Sequence, residues 1–338
     1  MKLPKGIRLV VALGAVVVLA AAYAATAGLG SDDSALKDAS SPPAATVVAG
    51  GLGDAPAGSR VLVRAVDPAA PRADGRLYEL TADGQARRAG RLACKRVHAN
   101  GDGDGLCLKL APNAIDYDGV IFGGDYRPQA RFPIDGVPDR ARVSPDGRYG
   151  GYTSFDSAGS QGYFESSGEF VTFTRILDMR TGRVLLRLED LTVSRNGGKL
   201  DTVSPQFWGL TFPGGDRYYA TLASDDRHYL IAGRVGSTRA RVVRTHVECP
   251  SLSPDGERIA YKRRIPGTNR WRLHVLDLPT GEDVELAETR SIDDQPEWLG
   301  DDTIVYSDDK AVLTVPADGS GSPRRAAAHA TSPVYLAP

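Results

Sequence analysis

The sequence predicts an all-β protein assembled from six copies of one structural unit. A strand–turn–strand motif recurs along the chain, most completely at Pro250–Tyr261, again at Arg142–Tyr152 and in a looser form at Pro296–Tyr306. From Arg60 onward, short apolar runs alternate with turn residues, and no stretch shows the apolar spacing of an amphipathic helix. The repeated β-unit and the missing helical period together favour a fold built from strands.

Each copy of the motif describes a strand, a tight turn and a second strand. In the most complete copy, Pro254 fixes φ at the first central turn position, and Asp255 can accept a hydrogen bond from the backbone of the turn. Gly256 relieves crowding at the next position. Ile259 and Tyr261 then alternate with other residues, which is the period of a strand with one buried face. Asp255 is therefore interpreted as a structural residue.

The spacing of the motif indicates the architecture. The first internal turns of six units lie near Gly58, Asp104, Asp146, Asp216, Asp255 and Asp301. Successive turns are 46, 42, 70, 39 and 46 residues apart. Four of these intervals are close to the roughly 40–45 residues of a four-stranded propeller blade. The long interval contains a Ser- and Gly-rich insertion over 154–168. We therefore predict a six-bladed β-propeller of four-stranded antiparallel blades.

The two ends of the repeat region predict how the ring of blades closes. Inner strands of later units carry Pro, a variable residue and an apolar residue, as in Pro250–Leu252 and Pro296–Trp298. The first unit starts directly at Val61–Val63 without such a strand, and a surplus copy occurs at Ser332–Leu336. We expect this C-terminal strand to pair into the first blade, so that the propeller covers residues 58–338.

The first 30 residues are predicted to direct export. Lys2, Lys5 and Arg8 precede Leu9–Leu29, a run of 21 residues without a charge. Such a segment is either a signal peptide or a single membrane anchor whose C-terminal side lies outside, and both readings stay open. Residues 31–57, rich in Ser, Pro, Gly and Ala, are predicted to be a flexible linker. We expect an extracytoplasmic propeller, either secreted or tethered to the cytoplasmic membrane.

Composition narrows the classes of partner. The chain has 338 residues, of which 41% are hydrophobic and 25% charged, and this is typical of a globular protein. Its formal net charge is -1, so no overall charge attracts nucleic acid or an anionic membrane. We expect a monomer without a cofactor. It would contact the membrane only through its N-terminal segment and would bind an envelope protein or a secreted protein.

The repeat resembles that of TolB-type β-propellers. The resemblance is carried by Ser253–Gly256 followed by the triplet Ile259–Tyr261, and by Ser144–Gly147 followed by Gly150–Tyr152. Closely similar repeats occur in the propellers of prolyl-oligopeptidase-like peptidases. The resemblance covers about residues 58–338. TolB-type proteins also carry an N-terminal α/β domain that helps form their partner interface. We expect no counterpart here, because only the export segment and the linker precede the first blade.

The cysteines predict one structural disulfide. Cys94 and Cys107 are symmetric about a turn centred on Asn100–Gly101, so a simple hairpin would place them opposite each other. In an exported protein this arrangement favours a disulfide that stabilises the second blade. Cys249 adjoins Pro250 on a predicted inner strand and is interpreted as a small buried residue.

The candidate binding residues are polar side chains at the starts of the inner strands. By analogy with propellers in general, such side chains face the mouth of the central channel, where several blades converge on one concavity. The residues are Arg96, Arg140, Arg142, Asp201, Gln206, His246, Glu248, Asp294, Gln295 and His329. The alternative is that these groups solvate and cross-link a water-filled channel.

The insertion offers a second candidate surface. Tyr163, Phe164 and Phe170 stand among Ser and Gly residues. Exposed aromatic side chains on a loop can anchor a protein partner. The alternative is an inter-strand excursion without a binding role.

Two main classes of function follow from these features. The favoured one is a non-enzymatic module, without catalytic residues or a bound metal, that binds a protein or another ligand at the cell envelope. The rival is a secreted metal-dependent hydrolase or lyase of the lactonase type, whose metal ligands would be Asp201, Glu248 and Asp294. The sequence contains no Gly-x-Ser-x-Gly and no His-Glu-x-x-His motif. A third reading, a sensor or adaptor domain, requires that the N-terminal segment stay anchored.

Overall fold

The computed structural model describes residues 47–53, 55–66, 75–156, 171–308 and 310–337. The predicted export segment 1–30 and the insertion residues Tyr163, Phe164 and Phe170 lie outside the described residues. Within the described part, the chain forms β-strands and one short 3-10 turn at Leu188–Asp190, so the expected all-β class is confirmed. No helix in these residues is long and apolar enough to cross a membrane.

The strands follow one another with short connections. The first are β1 (Val48–Ala49), β2 (Arg60–Ala65), β3 (Arg76–Thr81) and β4 (Ala86–Ala93). Next are β5 (Arg96–Ala99), β6 (Gly105–Leu110), β7 (Tyr117–Phe122), β8 (Pro128–Ile134), β9 (Val137–Val143), β10 (Tyr149–Phe155), β11 (Thr172–Asp178) and β12 (Val184–Arg187). After the 3-10 turn come β13 (Thr192–Arg195), β14 (Gly198–Lys199), β15 (Gln206–Thr211), β16 (Arg217–Ser224), β17 (Arg227–Arg234) and β18 (Arg239–Thr245). The last are β19 (Glu248–Leu252), β20 (Arg258–Arg264), β21 (Trp271–Asp277), β22 (Asp283–Glu285), β23 (Glu297–Leu299), β24 (Thr303–Ser307), β25 (Ala311–Pro316), β26 (Arg324–Ala328) and β27 (Ala330–Leu336).

These strands form six sheets, which confirms the six-bladed architecture. Blade 1 is β27-β2-β3-β4, blade 2 is β5-β6-β7-β8 and blade 3 is β9-β10-β11-β12. Blade 4 is built on β15-β16-β17-β18, blade 5 is β19-β20-β21-β22 and blade 6 is built on β23-β24-β25-β26. The first strand named for each blade is its inner strand, and the six inner strands contact one another in ring order around the central channel.

The C-terminal strand β27 closes the ring as expected. It pairs antiparallel with β2, so that Val61 lies opposite Tyr335 and Leu62 lies opposite Val334. Blade 1 therefore takes its inner strand from the C-terminal end of the propeller and its other three strands from the N-terminal end. This exchange gives the inner edge of β2 a partner and joins the two ends of the ring.

The repeated turn is held by its own side chains. Asp255 Oδ1 accepts a hydrogen bond from the backbone N–H of Glu257 at 2.9 Å. Gly256 has a φ of 76° and donates its N–H to the carbonyl of Ser253 at 2.9 Å. Asp146 accepts the equivalent bond from the backbone two residues later at 3.1 Å. The turn aspartates are thus engaged by the backbone, and glycine supplies the left-handed conformation that the turn requires.

Structure begins before residue 58, which corrects the C-terminal end of the predicted linker 31–57. Val47 and Leu52 are buried in the apolar cluster of blades 1 and 6. β1 pairs with the outer strand β26, and Val48 lies opposite Ala328. Burial of these two apolar side chains favours docking of a segment whose Gly-rich composition alone indicated a linker.

Blade 4 carries two additional strands. After the 3-10 turn, the chain forms the hairpin β13–β14 on the outer edge of blade 4, where β13 pairs parallel with β18. Thr192 lies opposite Arg239, and Ser194 lies opposite Arg241. The long interval between the third and fourth repeated turns therefore has a second cause besides the insertion.

Candidate functional site

The predicted site lies at the end of the propeller where the six inner strands begin. We call this end the crossover face, because the chain passes from blade to blade there. In an antiparallel blade, the second strand ends and the third begins at the same end. The connection between β10 and β11, which leaves from Phe155 and returns at Thr172, therefore starts and finishes at the crossover face. The repeated turns lie at the opposite end, which we call the turn face.

The structure brings together half of the predicted channel residues. One small cavity at the channel mouth is lined by Arg96, Arg140, Arg142, Asp294 and Gln295. Of the other five predicted channel residues, three are exposed and lie in connections between strands: Asp201, His246 and His329. Gln206 is turned toward blade 3, where its Oε1 accepts bonds from the backbone N–H and the hydroxyl of Thr172 at 2.8 and 3.1 Å.

An ion-pair network joins blades 2, 3 and 6 at the channel mouth. Arg140 donates to Asp139 Oδ1 at 2.7 Å and to the carbonyl of Asp293 at 3.1 Å. The guanidinium groups of Arg140 and Arg96 also approach Asp294 Oδ1, with N–O distances of 3.7 and 3.5 Å. Burial alone would raise the pKa of Asp294, but these two cations hold it below its usual value. Asp294 is therefore an ionised group already matched by positive charge.

A second layer is built around Arg142. This side chain donates to the carbonyl of Pro296 at 2.8 Å and forms a buried ion pair with Glu297. His98 lies beside that pair: its Nδ1 accepts from the N–H of Val143 at 3.1 Å, and its Nε2 lies 3.3 Å from Glu297 Oε2. Burial, and then the charge of Arg142, lower the pKa of His98 well below its ordinary value. The ring is therefore neutral, and its Nε2 lies between Nη1 of Arg142, at 2.7 Å, and Glu297 Oε2.

The side chains of this layer come from equivalent places in three blades. His98, Arg142 and Glu297 each stand two residues before the first residue of the repeated turn. Sequence reasoning missed His98 and Glu297, together with Asp139, Asp293 and Lys262. Alignment of the six units on their turns would have found the first two, because Arg142 marks the position.

Gln295 closes the channel from the other side. Its Nε2 donates to the carbonyls of Leu210 at 2.9 Å and Pro250 at 2.7 Å. Leu210, Pro250 and Pro296 occupy equivalent places on the inner strands of blades 4, 5 and 6. Arg142 and Gln295 thus donate hydrogen bonds to the backbone carbonyl at the equivalent position in each of these three blades. The cavity left at the mouth measures about 30 Å³, enough for about two water molecules.

Glu248 belongs to a separate cluster on blades 4 and 5. Trp271 Nε1 donates to Glu248 Oε1 at 3.1 Å, and His228 Nδ1 lies 3.5 Å from the same oxygen. Lys262 lies over the ring of Trp271, 4.4 Å from its centroid, and pairs with Asp293. Burial lowers the pKa of His228 below its ordinary value, despite the opposing charge of Glu248. Glu248 therefore accepts a hydrogen bond from the Trp271 indole and also faces the charge of Lys262, which lies opposite it in the sheet.

The three acids considered as metal ligands do not meet. Asp201 is exposed, Glu248 is bound by Trp271, and Asp294 faces two arginines. Across the described ranges, no group of three or more His, Cys, Asp or Glu side chains is arranged to hold a metal ion. The prediction of an acidic metal cluster therefore finds no support in this geometry.

Cys94 and Cys107 form a disulfide, with Cα atoms 5.4 Å apart. The register differs from the one expected, because the turn spans Asn100–Asp104 and Val97, rather than Cys94, lies opposite Cys107. The bond therefore fastens the connection between blades 1 and 2 to strand β6. Cys249 is buried, and burial raises the pKa of its thiol, which keeps it protonated.

Comparison with known proteins shows a likeness in fold. No protein-family model matches the chain, and no curated protein matches it. TolB from Acinetobacter baumannii has a TM-score of 0.56 at 16% identity, over 83% of this chain and 67% of that chain. A chain of the nidogen/laminin complex has a TM-score of 0.54 at 12% identity, over 82% of this chain and 98% of that chain. Putative TolB from Agrobacterium tumefaciens has a TM-score of 0.44 at 14% identity, over 79% and 87%. The likeness to TolB from Acinetobacter baumannii confirms the expected resemblance to the TolB-type six-bladed propeller at the level of the fold.

Proposed function

We propose that the protein is an exported, non-enzymatic β-propeller that binds a protein partner at the cell envelope through its crossover face. The observation that carries this proposal is the closed channel mouth, where Arg142 and Gln295 leave a cavity of about 30 Å³. Pockets for small-molecule ligands usually measure roughly 300–1,000 Å³, so the channel mouth itself has no room for such a ligand. A partner that docks on the surface needs no such depth.

The crossover face offers contact area beside the channel. An open groove of about 520 Å³ on blade 2 is lined by the connections β6–β7 and β8–β9. Asp116, Asp118 and Asp135 give the groove negative charge, and Tyr117 gives it an aromatic wall. Arg131 pairs with Asp118 at 3.3 Å, so the other two carboxylates keep most of the charge. An aromatic side chain within a polar rim is typical of protein interfaces.

Two observations support a location outside the cytoplasm. Lys2, Lys5 and Arg8 followed by the uncharged run Leu9–Leu29 are typical of an export segment. The disulfide over Cys94–Cys107 is a bond that persists mainly in oxidising compartments. Partner binding is further supported by the nidogen/laminin complex, in which a chain of similar fold belongs to a protein assembly.

The test is affinity capture with matched charge variants. The tagged full chain is cross-linked in envelope fractions, and bound proteins are quantified by mass spectrometry. One variant reverses two exposed carboxylates of the crossover face, Asp116→Lys and Asp135→Lys. The control reverses two exposed carboxylates of the turn face, Glu257→Lys and Glu282→Lys.

We expect the parent and the control to capture the same protein in similar amounts. The crossover-face variant should capture about tenfold less of it or even less, which is the loss of affinity that removal of an interface hot spot causes. Capture that is unchanged in the crossover-face variant, or lost only in the control, would contradict the proposal.

A further inference from the structure

The outer part of blade 4 is a sheet surface that its neighbour does not cover. The hairpin β13–β14 makes blade 4 six strands wide, whereas blade 5 has four strands. Blades are arranged radially and diverge outward, so the outer strands of the wider blade extend past the neighbouring one. Tyr219, nearer the channel, packs against the apolar cluster shared with blade 5, whereas Arg239, Arg241 and Lys199 are exposed.

One face of this outer sheet carries five cations. We call it the basic face and define it by Arg217, Arg234, Arg239, Arg241 and Lys199. Residues directly opposite each other in a sheet share a face, and alternate residues of a strand share a face. The strand register therefore decides which side chains lie together.

The register places all five on the same side. Arg217 of β16 lies opposite Arg234 of β17. Two residues from Arg234, Ala232 lies opposite Arg241, and Arg239 is two residues from Arg241 on the same strand. The hairpin adds the fifth cation, because Ser194 of β13 lies opposite both Arg241 and Lys199. The array crosses five neighbouring strands, which is about 19 Å at ~4.8 Å per strand.

Most of this charge is uncompensated. Asp216 accepts a hydrogen bond from Arg234 at 2.6 Å. The remaining four cations of the basic face form no ion pair with any residue that the structure describes. Closer to the channel, Arg244 is met by Asp283 of blade 5 at 3.8 Å. Since the whole chain has a net charge of -1, the cluster is a local feature.

We propose that the basic face binds a linear polyanion, a polymer with repeated phosphate or carboxylate groups. Guanidinium groups pair with either oxyanion through two parallel hydrogen bonds. A row of cations about 19 Å long matches several units of such a polymer better than a single small anion. Blade 5 stands beside the basic face as a wall. A flexible polymer can lie along the face next to this wall, whereas a flat bilayer would contact only the rim of the face. The added hairpin supplies Lys199 and widens the array.

The experiment measures binding of fluorescently labelled inorganic polyphosphate and poly-L-glutamate to the full chain in a non-ionic detergent, at several salt concentrations. The test variant is Arg239→Ser with Arg241→Ser. The matched control is Arg88→Ser with Arg91→Ser, two exposed arginines on β4, the outermost strand of blade 1. Thermal unfolding of both variants verifies that the fold is kept.

The test variant should bind about tenfold or more weakly, the loss expected for one charge-assisted contact, and should show a shallower salt dependence. The control should bind within about twofold of the parent, well under the tenfold that one lost contact brings. Lys199→Ser alone should weaken binding in the same direction by a smaller factor. Comparison of the two polymers distinguishes phosphate from carboxylate as the preferred group.

Three outcomes would overturn the proposal. In the first, the parent binds neither polymer. In the second, the control loses as much affinity as the test variant, so that binding reflects overall charge. In the third, binding is also measured to vesicles of phosphatidylglycerol. If the test variant loses binding only to the vesicles, and the polymers do not compete with the vesicles for the parent, the face would be assigned to a lipid surface.

Discussion

Arg142 on blade 3 donates a hydrogen bond of 2.8 Å to the carbonyl of Pro296 on blade 6, the blade directly across the channel. Gln295 runs in the other direction and reaches Leu210 and Pro250 on blades 4 and 5. The ring of inner strands is thus joined through its centre as well as around its circumference. Four tests probe these central contacts and the bonds around them.

Replacement of Arg142 should be strongly destabilising. Arg142→Met leaves the carboxylate of Glu297 without its cation and the carbonyl of Pro296 without its donor, and loss of one member of a buried ion pair costs about 3–5 kcal/mol. The measurement is the free energy of unfolding from urea titration. Arg91→Met, at an exposed position, should change stability by at most about 0.5 kcal/mol. Equal effects of the two substitutions would show that the pair contributes nothing specific.

Loss of the Gln295 amide should be costly in a different way. Gln295→Leu keeps most of the side-chain volume but leaves two buried carbonyls unsatisfied, at about 1–3 kcal/mol for such a group. Gln129→Leu, on the exposed side of β8, is the matched control. The same unfolding titration compares the two variants, and a Gln295→Leu protein as stable as the control would show that water replaces the amide.

The stability of the protein should fall when the solution is acidified below neutrality. In the folded protein, the pKa of His98 is lowered well below the ordinary value of 6.5. As the pH falls through 6.5, His98 takes up a proton in the unfolded chain but stays neutral in the folded protein. Stability is therefore full above pH 6.5 and decreases toward the folded pKa, by at most about 1.4 kcal/mol per pH unit for one group.

The measurement is the unfolding free energy of the parent, of His98→Gln and of the exposed control His246→Gln between about pH 5 and pH 8. His98→Gln should lose part of the slope, and the control should keep it. His228 and His274, whose pKa values burial also lowers, account for the remaining slope. A slope identical in all three proteins would refute the role of His98.

Removal of the disulfide should destabilise the fold by about 2–4 kcal/mol, the usual range for a loop of this length. The variant is Cys94→Ser with Cys107→Ser, and the measurement is thermal and urea unfolding with and without a reductant. The reductant should lower the stability of the parent to that of the variant and leave the variant unchanged. A variant that is itself sensitive to reductant would point to a second redox-active group.

Local features of the sequence predicted the fold well, for a physical reason. The repeated turn is stabilised by contacts within a few residues, such as Asp255 with Glu257, so its signature can be seen in a short window. Ring closure could be predicted because the first unit lacks an inner strand and the C-terminal end of the sequence carries a surplus one. The hairpin β13–β14 escaped prediction because its parallel pairing with β18 depends on the packing of blade 4.

The candidate site could be predicted only in part. Residues at the starts of the inner strands were expected to meet at the channel mouth. Arg142 and Gln295 both line the cavity there, whereas His246 lies in a connection between strands. The partners of the channel residues come from distant blades, as when His98 meets Glu297, and local spacing carries no information about such pairs. The disulfide gives a similar example. A turn centred on Asn100–Gly101 would have placed Cys94 opposite Cys107. The turn instead closes with a hydrogen bond from Asn100 to Asp104, so that Val97 lies opposite Cys107.

The pairing of β27 with β2 sets the order in which the protein can fold. As the chain is synthesised, β2, β3 and β4 are available from the beginning, but the edge of β2 waits for residues at the far end of the propeller. Contacts between such distant segments carry a large loop-closure cost and form late. Until Ala330–Leu336 arrives, the molecule is an open arc with an unpaired strand, which is a template for aggregation or for exchange with a second copy. Completion of the last strand is therefore the step that closes the ring within one chain.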